Sequence, residues 1–412
     1  MPKFDKKLLF MRHLLLFSAF LVFLFSCDSN SGSITIIPEG ESEQMEEPVE
    51  EETPEEPVGE EPMGGEEGAA SEFDDGTFRN LSSFDFTADM KTGWNLGNSL
   101  DAEGPDETFW GNPATTQEMI DAVAARGFKT LRMPVTWRFH QGSGPDYTVE
   151  KAWLDRVEEV VNYGRANDMY VIINVHHDDP WIIPTAAETA EVSDRLGKLW
   201  TQIANRFRKY SDYVIFETLN EPRHENTPNE WNGGTAEGRA AVNQYHQVSL
   251  DAIRATGGNN ILRQIMISTY AASTLPVAMD ALIVPNDDPR TLISLHSYFP
   301  FPFTLEGTDQ TWGTTDDKTQ LVMEMNRIKA KFTDNGKAVV LGEWSSGNQN
   351  NLADRLEHAS FYAEAAAERG FASIWWDNGN SGVSNDGLAI FNRTNLTWPF
   401  GNIADAIIEP NN

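Results

Sequence analysis

Two glutamates in this chain stand where proton transfer and nucleophilic attack could be performed. Glu221 lies in the stretch Phe216-Glu217-Thr218-Leu219-Asn220-Glu221-Pro222. The residues Tyr213-Val214-Ile215-Phe216 read as a buried parallel strand. Pro222 ends that strand and drives Glu221 towards an extended geometry, so a carboxylate is delivered at the strand's C-terminal end with the Asn220 amide beside it. Glu343, in Gly342-Glu343-Trp344, closes a second apolar run. Two carboxyls facing across a groove suit cleavage of a glycosidic bond, one donating a proton while the other attacks the anomeric carbon. For that, Glu343 must stay ionised, and Arg132 with the Tyr298 hydroxyl could hold it so. Glu221 must be protonated near neutrality, and an ionised Glu343 nearby would raise its pKa. Asn220 can hydrogen-bond a sugar 2-hydroxyl, a contact that strengthens in an oxocarbenium-like transition state.

The elements that must position these groups alternate. Short apolar runs at 92–96, 130–134, 170–175, 213–217, 264–268, 292–298, 338–342 and 372–376 read as eight strands. Between them, amphipathic patterns predict helices over 116–126, 149–167, 193–210, 239–256, 318–332 and 352–369, with a last one at 403–408 and a less clearly helical link at 271–290. Eight βα units favour a closed (β/α)8 TIM barrel, an α/β fold, over an open sheet, and no Gly-rich phosphate loop follows the first strand. Polar residues gather at the strand ends: Asn95, Asn98 and Asp101; Arg132; His176 and His177; Asn220 and Glu221; His296 and Tyr298; Glu343; Trp376 and Asp377. A barrel built for stability alone has no reason to crowd them at the one lip where barrel chemistry sits.

The 412 residues allow one barrel of about 250 residues with insertions, plus extra segments. A formal charge of −32 offers no basic stripe to phosphates and argues against nucleic acid as a partner. Residues 1–26 have the pattern of an export signal: Lys3, Lys6, Lys7 and Arg12, then an apolar run from Leu14 to Phe25 that is shorter than the ~20 residues of a membrane span. The run ends in Leu24-Phe25-Ser26-Cys27, which resembles a bacterial lipobox. Cys27 is the one cysteine in the chain and is expected to carry a lipid that holds an exported protein on a membrane, at the outer membrane or the cell surface. That leaves no disulfide, thiol nucleophile or thiolate metal site downstream. Residues 38–72 carry fifteen Glu, five Pro and no Lys or Arg, so 27–72 is expected to be a disordered acidic tether ahead of one domain over 73–412.

Six short motifs, Arg132-Met133-Pro134, His176-His177, Asn220-Glu221-Pro222, His296-Ser297-Tyr298, Gly342-Glu343-Trp344 and Trp376-Asp377-Asn378, together resemble glycoside hydrolase family 5 and its cellulase branch. Each is weak alone, but they occur in order, on the matching strands, across the region from Gly93 to Asn380. The opening Gly93-Trp94-Asn95-Leu96-Gly97-Asn98-Ser99-Leu100-Asp101 and the Trp-Trp-Asp-Asn-Gly of strand eight resemble its endo-β-1,4-glucanase and xyloglucanase subgroup. The resemblance implies a retaining, endo-acting hydrolase of β-1,4-glucan (cellulose, xyloglucan or mixed-linkage glucan) that works as a monomer without cofactor or metal. It implies Glu221 as general acid/base and Glu343 as nucleophile, with Arg132 and Tyr298 positioning the nucleophile and His296 near the acid/base. His176 and Asn220 would contact the sugar at the cleaved bond, Trp376 would form its stacking floor, and Asn98, Asp101 and His177 would line subsites on the non-reducing side. Trp110, Trp181, Trp231 and Trp312 lie in βα loops, where glucan stacking and ordinary packing are both open.

Two rival readings use other features. A metal-dependent hydrolase would draw on His176, His177, Asp178 and Asp179, but neighbours on a strand point to opposite faces and could not easily share an ion. A tethered glycan-binding lipoprotein would not need both carboxylates together with Arg132 and Tyr298. Within hydrolysis, mannan or xylan remains open on the same scaffold.

Overall fold

Eight short apolar segments are buried along their whole length, because the barrel interior covers one face of each and the helical layer the other. They are β1 (Thr92–Leu96), β2 (Thr130–Met133), β3 (Tyr170–Asn174), β4 (Val214–Glu217), β5 (Ile265–Ser268), β6 (Thr291–His296), β7 (Val339–Trp344) and β8 (Ala372–Asp377). All pair in parallel in sequence order, and β1 pairs with β8, so the sheet closes as a (β/α)8 barrel. In this computed structural model, residues 78–411 are described; the expected signal, Cys27 and tether lie outside them.

The helices are α1 (Ser83–Met90), α2 (Gln117–Arg126), α3 (Lys151–Arg165), α4 (Thr189–Arg206), α5 (Ala236–Ala255), α6 (Pro276–Ala281), α7 (Thr315–Lys331), α8 (Leu352–Ala367) and α9 (Gly401–Ile408). Their starts follow from capping chemistry: the Thr116 and Thr235 hydroxyls accept amide N–H groups at the starts of α2 and α5, and Thr314 with Asp317 forms a capping box on α7. The segment between β5 and β6 manages only the six residues of α6, its helix begun by Pro276 at the first position.

Helix α1 has no counterpart among the expected elements. Its eight residues carry a weak apolar stripe, and it forms because Phe86 and Met90 plug the barrel floor against Tyr170, Ile172, Ile215 and Met266. Arg79 fastens the chain just before it, donating to Asp212 at 2.8 Å, to Asp89 at 2.7 Å and to the Tyr170 hydroxyl at 2.5 Å.

Along each strand alternate residues face inward. Ile172, Ile215 and Leu292 belong to the apolar interior cluster, so the residues two further on, Asn174, Glu217 and Ser294, also point inward, one level higher. Arg132 and Asn95 join them at that level, which is polar throughout and fully buried. The lip itself is reshaped by register shifts. The β6–β7 pairing skips a residue between Leu295 and His296, which sets His296 opposite Glu343. A second shift between β7 and β8 carries β7 on to Trp344. Strand β6 therefore stops at His296 instead of 298, and β7 runs two residues past the expected 342, as irregularities beside active sites commonly re-aim side chains.

Candidate active site

The polar level beneath the lip is organised by Arg132. Its guanidinium offers five N–H donors in a plane, and four of them donate to oxygens. Nε donates to Glu217 Oε2 at 2.8 Å and Nη2 reaches the same oxygen at 2.7 Å. Nη2 also donates to Asn220 Oδ1 at 2.8 Å, while Nη1 donates to Asn95 Oδ1 at 2.9 Å and Glu343 Oε1 at 2.7 Å. The second Glu343 oxygen accepts the Tyr298 hydroxyl at 2.9 Å. Burial and the Glu343 charge push the Tyr298 phenol well above its ordinary range, so it stays a donor.

Glu221 does not end its strand. β4 stops at Glu217, and the next residues are tied down one by one: Thr218 N–H donates to the Met266 carbonyl and Asn220 N–H to the Val175 carbonyl, both at 2.9 Å. Pro222 adds its carbonyl to the Ala271 N–H at 3.0 Å, so Glu221 sits on a rigid extension. One Glu221 oxygen lies 2.7 Å from His296 Nδ1, and Glu343 Oε2 lies 3.6 Å from the same nitrogen. One carboxylate oxygen of each glutamate and an imidazole nitrogen of His296 thus fall within 4.8 Å of one another.

The electrostatics correct one expectation. Burial pushes the Glu221 carboxyl up, but the His296 hydrogen bond and charge, helped by Arg223 and His177, outweigh it and leave Glu221 below its ordinary value. Burial likewise pushes His296 down, and the charge of Glu343 and the bond to Glu221 overcome that and raise it. Glu343 ends above the ordinary glutamate value, raised by burial against the pull of His296 and Arg132. The Glu343 charge lifts His296, which stands between the two carboxylates, 2.7 Å from Glu221.

The sugar-facing residues divide into those at the surface and those behind it. His176 Nδ1 takes the Asn174 amide at 3.0 Å, and the Asn174 carbonyl oxygen is occupied by the Val135 N–H, so the proton of neutral His176 stands on Nε2. Burial, with the His177 and Arg132 charges, keeps it neutral. The Trp376 indole stacks parallel to that ring at 5.8 Å. It fits because residue 97 is glycine: a Cβ there would stand 2.7 Å from the Trp376 ring. Asn98 and His177 reach the surface beside Trp110, whose ring meets His177 edge-on at 5.4 Å. Asp101 is placed behind them. It is 0 % exposed, and its oxygens accept the Asn98 and Ser99 N–H groups at 3.0 and 2.7 Å, shaping the loop that carries Asn98. Asp377 is likewise internal, its carboxylate binding Arg393 and the Ile390 and Phe391 N–H groups.

The loop tryptophans separate clearly. Trp231 is 55 % exposed with Arg223 over its face at 4.7 Å, and Trp110 is 38 % exposed. Trp312 is core, 5 % exposed against His358 and Phe361, and Trp181 donates to Asp178 under the Arg195 guanidinium.

His176, His177 and Asp101 converge within 4.8 Å, contrary to the opposite-face expectation, because both histidines lie beyond the end of β3, where strand alternation no longer holds. The set drawn from the sequence does not assemble: Asp178 takes the Trp137 N–H and the Trp181 indole, and Asp179 pairs with Arg223 at 3.2 Å. Within the converging trio, both Asp101 oxygens and His176 Nδ1 are committed to protein donors.

Glu217, Asn174 and Ser294 were not singled out from the sequence as site residues. The signal was present: a carboxylate, an amide and a hydroxyl in buried strands, each two residues beyond an inward apolar side chain.

Comparison with known proteins agrees with this geometry. The model of the family Cellulase (glycosyl hydrolase family 5) matches residues 96–382. Endoglucanase B of Clostridium cellulovorans is 49 % identical over 336 residues, covering 80 % of this chain and 76 % of that protein. The cellulase/esterase CelE of Acetivibrio thermocellus is 47 % identical over 335 residues, and this chain spans 41 % of its length. The solved structure of ZgEngAGH5_4 in complex with a cellotriose is 58 % identical with a TM-score of 0.79, covering 81 % of this chain and 99 % of that one. The family match takes in well over half of the sequence and all six of its motifs, and the chain belongs to glycosyl hydrolase family 5, the cellulase family, as a glycoside hydrolase.

Proposed function

We propose that this family 5 enzyme is a retaining endo-β-1,4-glucanase that works by double displacement. The observation that carries the reading is the pair of carboxylates, with one oxygen of each within 4.8 Å, one held by Arg132 and Tyr298 and the other by His296. Retaining glycosidases keep their carboxyls about 5–5.5 Å apart, whereas inverting enzymes leave room for a water between them. Glu343 attacks the anomeric carbon as the C–O bond to the leaving sugar breaks, and Glu221 protonates the departing oxygen with the proton it shares with His296. In the second step Glu221 takes a proton from water, which displaces Glu343 from the anomeric carbon. The acidic limb of the rate then lies above 4.5, where the raised Glu343 becomes protonated, and the alkaline limb lies above 6.5, where the Glu221–His296 pair loses its proton.

Aromatic surface at Trp110 and at Trp231 supports binding of a long chain on both sides of the cut, and the cellotriose in a relative's structure supports β-1,4-glucan as the substrate class. Internal cleavage should make the viscosity of carboxymethylcellulose or xyloglucan fall much faster than reducing ends appear. Glucose released from chain ends as the main early product would overturn the endo assignment. A panel including mannan and xylan, with product sizing, places the enzyme among these glycans.

The enzyme is held on a membrane through a lipid on Cys27, as the apolar run and the lipobox pattern support. Cys27→Ala should abolish incorporation of labelled fatty acid in the native host, while residues 73–412 expressed alone stay soluble and active. An unlabelled wild-type protein would sink the anchor.

A further inference from the structure

One fully buried carboxylate in the site takes no part in the two displacement steps. Glu217 ends β4, points into the barrel and is 0 % exposed. Its Oε2 accepts Arg132 Nε at 2.8 Å and Asn174 Nδ2 at 3.0 Å and is in ionic contact with Arg132 Nη2 at 2.7 Å, and its Oε1 accepts the Ser294 hydroxyl at 2.6 Å. Of these three partners, Arg132 and Asn174 carry the contact onward. Arg132 passes on to Glu343 and to Asn220, whose carbonyl oxygen it occupies, leaving the Asn220 amide N–H groups to face the sugar. Asn174 passes on to His176 Nδ1 and fixes its tautomer.

We propose that Glu217 is a positioning residue that fixes the plane of the Arg132 guanidinium and divides its charge with Glu343, leaving Glu343 a more basic nucleophile than a carboxylate paired with an arginine of its own. A single cation between two carboxylates stabilises each less than it would stabilise one. The sharing is visible in the geometry, with one guanidinium in contact with Glu217 and Glu343 at the same 2.7 Å. Two anions around one cation leave the buried trio one negative charge in excess, which is the state from which attack on an anomeric carbon gains. A purely structural ion pair would hold the barrel together without setting the basicity of Glu343.

The inference rests on Glu343 being the nucleophile, so the test reads both. Wild type, Glu217→Gln and Glu217→Asp are inactivated with an activated 2-deoxy-2-fluoro-β-cellobioside, which traps the glycosyl-enzyme. The trapping rate is followed against pH, and the labelled peptide is identified by mass spectrometry. Glu217→Gln hands the whole Arg132 charge to Glu343, so its acidic limb should move down by about one pH unit. Its kcat should fall by about 10²-fold through loss of basicity and alignment. Glu217→Asp keeps the charge but retreats from Arg132, so its limb should shift the same way by less. Should Glu217→Gln fail to fold, the shift of Glu217→Asp against wild type decides. Label on Glu343 with an acidic limb that stays put in the folded variants overturns the role of Glu217 and leaves the nucleophile standing. Label on another residue removes the nucleophile assignment, and the proposal with it.

Discussion

Glu343→Ala is expected to lower hydrolysis of every substrate by about 10⁵-fold, since removing a nucleophile abolishes the covalent step rather than slowing it. The loss should be as large for aryl cellobiosides as for polysaccharide, because a good leaving group does not replace the attacking oxygen. The fold should survive. Arg132 loses one of its two carboxylates but keeps Glu217 on Nε and Nη2, so no buried charge is left unpaired. Tyr298 loses its acceptor but is only half-buried. Azide supplied to this variant with an activated β-aryl cellobioside should fill the vacated position, attack the anomeric carbon directly and give an α-glycosyl azide. A β-azide, or activity within tenfold of wild type, would remove Glu343 from the nucleophile's role.

The architecture was legible because each strand is a short apolar run set between polar turns. Strand β1 lies at the expected residues, and the other starts differ from the observed ones by at most one. What escaped was set by long-range contact. Nothing local in Ser83–Met90 requires a helix, and only the floor it covers supplies Phe86 and Met90 with a partner. The ends of β6 and β7 depend on a register shift between two strands that are far apart in the chain, so neither strand's sequence contains it.

The site was legible to the extent that its residues are unusual where they stand. Glutamates beside Pro222 and Trp344, and paired histidines after β3, are visible as departures from an apolar pattern. Their division of labour was less visible, because it depends on which neighbour each side chain meets. Asp101 reads as a groove residue, yet its carboxylate is turned onto the N–H groups of its own loop. His296 reads as an accessory to Glu221, yet it stands between both carboxylates, and its bond and charge hold Glu221 below the ordinary value that Glu343 was expected to raise. Three-body electrostatics of that kind has no signature in one dimension.

That arrangement gives Glu221→Ala a different outcome from Glu343→Ala. Polysaccharide hydrolysis should fall by about 10³-fold, within the usual range for a lost general acid/base. An aryl cellobioside with a good leaving group needs little protonation, so its first step should survive while the glycosyl-enzyme accumulates as a burst. The alkaline limb of that first step should vanish, because the wild-type limb records loss of the proton shared by Glu221 and His296, above 6.5, and a phenolate leaves without it. The acidic limb should persist and move down, since Glu221 is one of the groups that raises Glu343. Azide needs no general base, so it should speed turnover of the accumulated intermediate and yield a β-glycosyl azide, the configuration that two successive displacements produce. An α-azide from Glu221→Ala, or equal losses on aryl and polymeric substrates, would exchange the two glutamates' roles or remove the covalent intermediate altogether.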